Sequence, residues 1–153
     1  MRLMPLTVTP SDSVAHARAL LDERRIKHLP VIFRERLIGI ISAQDLDARS
    51  FRSRHSGLAK ELKLHPDRVR ISCVMTSDVC TVTPSDDLSH AAELMQRKHI
   101  GALPVLERGR LAGIICRSDV PDPLARRAKT KLDAIGRRDH SRQRQRFRRS
   151  VAA

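Results

Sequence analysis

Hydrophobic residues along the chain follow two different spacings, and each spacing predicts a different element. Between Val14 and Leu21, apolar residues recur every three or four positions, which is typical of a helix with one buried face. Residues 29–33 and 37–41 are short apolar runs separated by a polar turn, which favours a β-hairpin. A shorter apolar run at residues 6–8 precedes the helix and predicts an additional strand.

The same order of elements occurs a second time. Residues 5–46 align without a gap with residues 79–120, at an offset of 74 and with 20 of 42 positions identical. The second helical stripe is Leu88–Met95, and a strand at 80–82 precedes it. Such a close duplication predicts an α+β fold of two β-α-β-β-α units about a pseudo-twofold axis, with any ligand sites at their junction.

The residues around each helix predict where it begins and ends. Thr9 is expected to cap the first helix, with Pro10 at its first position and Asp12 near the positive end of its dipole. Residues 83–86 repeat this arrangement for the second helix. The helices should end near Arg25 and His99, and further helices should open at Asp45 and Asp119.

The length of 153 residues suits one domain or two small halves that pack together. A copy of roughly 45 to 50 residues is marginal alone, so we expect one shared core that buries Val31, Ile40, Val105 and Ile114. A short helix at residues 70–76 is expected to lead into the second copy. The predicted units are repeat 1 at 1–60, a lead-in at 61–73, repeat 2 at 74–122 and a basic tail at 123–153.

The net charge of +13 is concentrated at one end of the chain. Residues 121–153 hold eleven Lys or Arg and three Asp or Glu, or +8, and the other 120 residues carry the remaining +5. The composition predicts disorder from residue 139 onward, and the lack of Tyr and Trp disfavours base-stacking platforms. Residues 124–150 are open to three interpretations: binding to nucleic acid or anionic lipid by counterion release, a solvated extension without a partner, or a stretch that is not an authentic domain end.

Several classes of protein are disfavoured by what the sequence lacks. No apolar run approaches the roughly 18 residues of a membrane span, and no signal-peptide core follows Met1, so a cytoplasmic protein is expected. The three cysteines show no C-x-x-C spacing and the seven histidines no metal-ligand pattern, which favours reduced, buried thiols and no metal site. Because no nucleophile has a partnered base and no glycine-rich phosphate loop occurs, an enzyme is not expected.

Three short motifs recur in both copies, and together they resemble one family. They are T-V-x-P-x-D at residues 7–12 and 81–86, L-P-V at 29–31 and 103–105, and G-I-I-x-x-x-D at 39–45 and 113–119. In this order and at one offset, they resemble the cystathionine-β-synthase (CBS) domain, and the pair over residues 3–120 resembles a Bateman module. The resemblance implies a stand-alone regulatory sensor of AMP, ADP, ATP or S-adenosylmethionine, with no obligatory cofactor. It also implies a homodimer, in which the helix stripes of both copies would be covered.

The resemblance implies two ligand clefts, each built from both copies. The aspartate that closes the G-I-I motif would contact ribose hydroxyls, and the residue three positions earlier would help to hold phosphate. The opening threonine and the residues before L-P-V in the other copy would surround the base. The favoured cleft then comprises Ser42, Gln44, Asp45, Thr81, Ile100 and Gly101, and the doubtful cleft comprises Thr7, Ile26, Lys27, Cys116, Ser118 and Asp119.

The two clefts differ in sequence. Asp45 is accompanied by Ser42, whereas Asp119 follows Cys116, a poor hydrogen-bond donor, and two prolines come soon after it. Without the family, both aspartates can be explained as plain helix caps. Two other functions therefore stay open: a nucleic-acid-binding protein that acts through its tail, and a structural dimerisation module with inactive sites.

Overall fold

The computed structural model describes residues 2–47, 60–61 and 63–120. The tail at 123–153 and most of the helices expected after Asp45 and Asp119 lie outside these residues. Short 3-10 turns occur at Ile71–Cys73 and Arg117–Asp119. Helices and antiparallel sheets together confirm the α+β class. In chain order the main elements are β1 (Arg2–Leu3), α1 (Val14–Arg24), β2 (His28–Phe33), β3 (Arg36–Ser42), α2 (Leu88–Lys98), β4 (Ala102–Glu107) and β5 (Arg110–Cys116).

The two predicted hairpins are confirmed, and they have the same register. In β2–β3, Val31 pairs with Gly39, and in β4–β5, Val105 pairs with Gly113. Each ladder is irregular directly after this pair. Each hairpin turns through two residues with positive φ, a geometry that matches the right-handed twist of the flanking strands.

The segments that open the two copies, β1 in the first and the stretch around Thr76 in the second, are exchanged, because each pairs with the hairpin of the other copy. β1 pairs with β5 of the other copy, so that Arg2 lies opposite Ile114. At the equivalent positions of the second copy, Thr76 and Ile40 exchange two backbone hydrogen bonds of 3.0 and 2.9 Å. Each copy therefore adds backbone to the hairpin of the other, and the two copies are joined through their sheets.

The strands predicted at residues 6–8 and 80–82 are wrong in extent. Each of these segments makes only one isolated parallel bridge, from Val8 to Val31 and from Val82 to Val105. Both bridges are supported by hydrogen bonds on either side of the central residue, such as Val8 N–H to the Pro30 carbonyl at 3.0 Å. The segments thus align with the hairpins without forming regular strands.

The helices begin four residues later than predicted. Their N-caps are Ser13 and Asp87, not Thr9 and Thr83. The reason is local, because the Asp12 carboxylate accepts the Thr9 N–H at 2.7 Å and closes a turn before the helix. The same turn forms in the second copy, where Asp86 accepts the Thr83 N–H at 2.7 Å.

The predicted helix ends are confirmed. Arg25 and His99 follow the two helices, and both have a left-handed backbone, with φ of 51° and 53°. The next amide in each copy returns to the helix, from Ile26 to the Leu21 carbonyl at 3.0 Å and from Ile100 to the Met95 carbonyl at 3.1 Å. This six-residue closure satisfies carbonyls that the helix end would leave open.

The expected single core is wrong, because buried side chains form two clusters, one on each hairpin. Val31 lies in the first cluster and Val105 in the second, Ile40 is only half-buried, and Ile114 is buried but belongs to neither. The first cluster contains Val8, Val14, Ala17, Leu21, Leu29, Val31, Ile41, Leu46, Val69, Ile71 and Val74. The second contains Val82, Ala91, Met95, Leu103, Val105 and Ile115.

The segment expected to lead into the second copy packs on the first. Val69, Ile71 and Val74 belong to the first cluster, and the Val14 N–H donates to the Val69 carbonyl at 2.9 Å. A short helical turn does occur there, as expected, at Ile71–Cys73. The core of the first copy is therefore completed by residues that follow it by more than twenty positions in the chain.

The stripe of α1 is covered within the chain. Val14, Ala17 and Leu21 are all buried in the first cluster. In α2, Ala91 and Met95 are buried in the second cluster, whereas Leu88 remains half-exposed. Covering the α1 stripe is therefore not a reason for dimerisation, whereas part of the α2 stripe stays exposed at Leu88. The homodimer stays a prediction that rests on the resemblance.

Candidate functional site

A cavity of about 960 Å³ lies at the junction of the two copies. The first copy contributes the start of β2 and the end of β3 with its following turn, residues 40–45. The crossing segment 73–80 forms another part of the lining, and residues 99–102 of the second copy complete it. A volume of this size is within the range of small-molecule sites.

The structure brings most of the favoured residues to this one cavity. Five of the six line it: Ser42, Gln44, Asp45, Ile100 and Gly101. Thr81 is exposed and does not line it, although the preceding Cys80 does.

The doubtful set is not assembled in the same way. Lys27 lines the favoured cavity instead of a separate one. The lining of that cavity does not include Thr7, Ile26, Cys116, Ser118 or Asp119. The resemblance assigned Lys27 to the other cleft. Its position in this lining instead brings a positively charged residue to the site of Asp45.

Asp45 and Ser42 form a reciprocal hydrogen-bonded ring. Asp45 Oδ2 accepts the Ser42 N–H at 2.8 Å and the Ser42 hydroxyl at 2.8 Å, and Ser42 Oγ accepts the Asp45 N–H at 3.1 Å. In this capping box Ser42 has the N-cap position and Asp45 the third position after it, so Asp45 supports a cap but is not itself the N-cap that was expected. Within the described residues, every hydrogen bond to this carboxylate goes to Oδ2. Capping therefore leaves Oδ1 of a half-buried carboxylate able to accept a hydrogen bond from a ligand hydroxyl.

The turn that carries Asp45 is anchored to α1. Arg18 donates from its guanidinium to the carbonyl of Leu46, and Leu46 itself is buried in the first cluster. On the other side, the Ala43 N–H donates to the Lys27 carbonyl at 2.8 Å. These contacts hold the carboxylate in place before any ligand arrives.

The equivalent turn in the second copy is more exposed. Asp119 Oδ2 accepts the Cys116 N–H at 2.8 Å, and the Cys116 sulfur takes the place of the serine hydroxyl in the ring. Asp119 is exposed, whereas Asp45 is half-buried. Ala92 occupies the position of Arg18, and this turn is held instead by Arg117, whose guanidinium donates to the Ile100 carbonyl at 3.3 Å.

His28 is a cavity residue that the sequence comparison missed. It lines the cavity, and its Nδ1 is buried without a hydrogen-bond partner among the described residues. Burial lowers the pKa of this imidazole below its usual 6.5, Asp45 opposes that shift, and Lys27 adds to it. A Cβ on Gly101 would lie 3.0 Å from the ring atoms Cε1 and Nε2. Gly101 thus leaves room for the imidazole of the other copy.

The offset between the copies contained a signal for this pair. His28 corresponds to Ala102, and Gly101 corresponds to Lys27. In one cleft a large ring faces a glycine, and in the other an alanine takes the position of the ring. This exchange of size between paired positions is visible in the sequence once the contact is known.

The remaining lining is mainly apolar. Ile40, Val74, Met75, Val79 and Ile100 line the cavity together with the polar groups. Such side chains suit the face of a flat heteroaromatic ring. Apolar and polar groups on one cavity fit a ligand that has both a ring and a hydroxyl-bearing part.

Gly39 allows the crossing segment to approach β3 closely. A Cβ at this position would lie 2.6 Å from Met75 Sδ and 3.1 Å from the Thr76 carbonyl oxygen. The glycine of the G-I-I motif is therefore required by packing, which places the crossing segment against the cavity.

A model of the CBS domain matches residues 1–50 and 71–122. The chain belongs to the CBS domain family. Inosine-5′-monophosphate dehydrogenase from Korarchaeum cryptofilum is 36% identical over 116 residues, which are 75% of this chain and 21% of that protein. Protein MJ1225 of Methanocaldococcus jannaschii is 31% identical over 121 residues, 75% of this chain and 42% of that protein. The chain thus spans about a fifth to two fifths of the length of these relatives.

Two solved structures of other CBS proteins are similar to this chain over most of their length. CBSX2 in complex with AMP has 30% sequence identity and a TM-score of 0.62, with 85% of this chain and 90% of that chain covered. The CBS domain pair of protein MJ0100, in complex with 5-methylthioadenosine and S-adenosyl-L-methionine, has 26% identity and a TM-score of 0.62. Here 86% of this chain and 93% of that chain are covered.

Metal sites and membrane-spanning helices are absent from the part of the chain that the structure describes. Within residues 2–47, 60–61 and 63–120, no three His, Cys, Asp or Glu side chains are grouped so that they could hold a metal ion. Over the same residues, no helix has the length and apolar character needed to cross a membrane. Cys73 and Cys80 are free thiols, and both line the cavity.

Proposed function

We propose that this chain is a regulatory module that binds an adenosine-containing ligand in the cleft between its CBS repeats, and that it has no catalytic activity of its own. The observation that carries this proposal is the convergence of Ser42, Gln44 and Asp45 from one repeat with Ile100 and Gly101 from the other on one cavity. Related CBS pairs hold AMP, or 5-methylthioadenosine and S-adenosyl-L-methionine, which supports this class of ligand.

Each part of the ligand has a proposed partner. Asp45 Oδ1 accepts a ribose hydroxyl, while Oδ2 keeps its hydrogen bonds to Ser42. Apolar side chains such as Ile100 cover one face of adenine. Thr81 is kept as a base contact of this cleft on the strength of the resemblance, although it lies outside the lining.

The charged residues of the lining bear on which adenosine ligand is favoured. Among the described residues, Lys27 is the one lysine or arginine in the lining, and Gln44 offers no charge to a phosphate. Asp45 and Asp78 line the same cavity, which gives these charged side chains a net charge of −1. Such a lining favours a ligand with little negative charge or with a sulfonium over a fully ionised triphosphate. Within the class of adenosine ligands, AMP and S-adenosylmethionine are therefore the first to be tested.

The test compares equivalent aspartates in the two repeats. We expect Asp45→Ala to weaken binding of AMP or S-adenosylmethionine about tenfold to a hundredfold, which corresponds to roughly 1.5 to 3 kcal/mol for a lost charge-assisted contact. Asp119→Ala is the matched control and should change the affinity little. Both are measured by titration calorimetry of the full chain.

Two outcomes would contradict the proposal. If Asp119→Ala abolishes binding and Asp45→Ala does not, the wrong cleft has been chosen. If the wild-type chain binds no adenosine ligand, the two alternatives remain, a structural module or a nucleic-acid-binding protein. Salt-dependent DNA binding that is lost when the chain is truncated at residue 122 would then favour the tail as the functional part.

A further inference from the structure

Both hairpins turn through a pair of arginines that the ligand cleft does not use. The first turn is Arg34-Glu35-Arg36, and the second is Arg108-Gly109-Arg110, at equivalent positions of the two repeats. Arginine is therefore present on each side of both turns, while the residue between them differs. Turn formation alone does not call for arginine at these positions.

The two turns meet in a second cleft, of about 500 Å³. All the residues of both turns line it, together with Leu37 and Leu106, and none of them lines the cavity at Asp45. One ion pair crosses between the hairpins, from Arg110 to Glu35 at 2.9 Å. The cleft is thus a separate place where the two repeats face each other.

The cleft carries a strong positive charge. Its lining contains four arginines and one glutamate, which gives a net charge of +3. Of these four arginines, only Arg110 has a carboxylate partner among the described residues. Arg34 lies over the Phe33 ring, with 5.2 Å from its guanidinium carbon to the ring centroid. Arg36 and Arg108 have no ion pair within that part of the chain. Like charges held this close repel one another, and a bound multivalent anion would offset the repulsion.

The backbone beneath these arginines forms two tight turns. Arg34 and Glu35 have φ of 48° and 63°, and Arg108 and Gly109 have φ of 51° and 78°. A two-residue turn with both residues in this region is the tightest connection between antiparallel strands. Ligand binding therefore orders the exposed arginine side chains but little of the backbone that carries them.

We propose that this cleft, which we call the turn cleft, binds a compact ligand with two or three linked phosphoryl groups. Guanidinium groups pair with phosphoryl oxygens through two parallel hydrogen bonds, and here they approach from both repeats. The volume suits a small molecule, and the few apolar side chains in the lining suit a highly charged one. The turn cleft is independent of the proposed adenosine site, because the two share no residue.

Glu35 has a specific part in this proposal. Its carboxylate forms an ion pair with Arg110, and this ion pair must break when phosphoryl groups bind to the Arg110 guanidinium. The second repeat has Gly109 at the equivalent position and contributes no such competitor. Glu35→Gln is therefore expected to strengthen anion binding, an effect that a loss of folding cannot produce.

The experiment is a titration of the full chain with inorganic tripolyphosphate at fixed ionic strength. We expect the double substitution Arg36→Gln and Arg108→Gln to weaken binding at least about tenfold, and Glu35→Gln to strengthen it about threefold. The control is Arg68→Gln with Arg97→Gln, which removes the same charge from exposed positions elsewhere and leaves the basic tail unchanged. ATP is titrated in parallel, so that binding through phosphoryl groups alone is separated from binding that also needs the nucleoside.

Three outcomes would overturn the proposal. The first is an equal loss of affinity in the test and control variants, which would show attraction by overall charge only. The second is unchanged or weaker binding in Glu35→Gln. The third is a short single-stranded RNA that binds more tightly than tripolyphosphate and depends on Arg36 and Arg108, which would assign the surface to nucleic acid. Asp45→Ala should leave tripolyphosphate binding unchanged, so that failure here and failure of the adenosine proposal are distinguishable.

Discussion

The two CBS repeats share their backbone pairing but differ where they face each other. Their hairpins have the same register, and each helix is followed by a residue with a left-handed backbone, Arg25 in the first repeat and His99 in the second. Around the aspartates, however, the first repeat has Ser42 and an arginine anchor, and the second has Cys116 and an exposed turn. The comparison shows that the duplication conserved the scaffold, while a few substitutions at the junction made the two clefts inequivalent.

The largest expected effect tests whether the two cores are independent. Leu29 and Leu103 are fully buried at equivalent positions in the two clusters. We expect Leu29→Ala and Leu103→Ala each to lower the free energy of unfolding by about 2 to 5 kcal/mol. Because the opening strands are exchanged, both should shift one common transition in scanning calorimetry. Two resolved transitions, each moved by one substitution, would show that the repeats unfold separately.

The next effect compares the two capping rings in the absence of ligand. Asp45→Ala removes the partner of the Ser42 N–H and hydroxyl, so we expect a loss of about 1 kcal/mol in urea unfolding. Asp119→Ala alters an exposed turn and should stay within about 0.5 kcal/mol of wild type. Ser42→Ala opens the same ring as Asp45→Ala, so combining the two should cost less than their sum. Equal losses at Asp45 and Asp119 would remove the structural difference between the turns.

A third effect tests the contact between His28 and Gly101. Gly101→Ala places a methyl group against the imidazole and should cost on the order of 1 kcal/mol of unfolding free energy. In a His28→Ala background the same change should cost almost nothing, because the first repeat then resembles Ala102 of the second. Lys27→Ala, at the position equivalent to Gly101, serves as the control. A cost that is the same in both backgrounds would mean that His28 does not explain the glycine.

The smallest expected effect is a dependence of stability on pH. Burial lowers the pKa of folded His28 below 6.5, so the unfolded chain takes up its proton first as the pH falls. Stability should therefore be retained above pH 6.5 and decline as the pH falls from 6.5 through the pKa of the folded state. His28→Gln should flatten this part of the profile of Tm against pH. A profile that the substitution leaves unchanged would place the responsible group elsewhere.

Local features of the fold could be predicted well, apart from the helix starts and the extent of the strands expected at residues 6–8 and 80–82. The hairpins followed from apolar runs of strand length on either side of a polar turn, because this pairing needs only neighbouring residues. The helix starts were misplaced because Thr9 and Asp12 were assigned to a cap. The Asp12 side chain in fact closes a separate turn, since its carboxylate accepts the Thr9 backbone N–H. Both arrangements use the same residue types, and the sequence does not distinguish between them.

The candidate site, too, could be predicted only in part from the sequence. The aspartate and its serine were identified from motif resemblance, and five of the six favoured residues line the cavity. His28 was missed because its role depends on Gly101, which lies in the other repeat. Lys27 was assigned to the other cleft, although it lines this cavity, because its neighbours in space are set by how the repeats face each other.

By itself, the sequence determined the duplication, the family, the two hairpins and the identity of the paired aspartates. These depend on periodicity and on motifs, which are properties of short segments. Only the tertiary structure decided that the opening strands are exchanged, that residues 69–74 complete the first core, and that four arginines meet at the hairpin turns. Each of these three features joins segments that are far apart in the chain. The packing of whole repeats decides which segments meet, and the preferences of single residues for helix, strand or turn do not specify that packing.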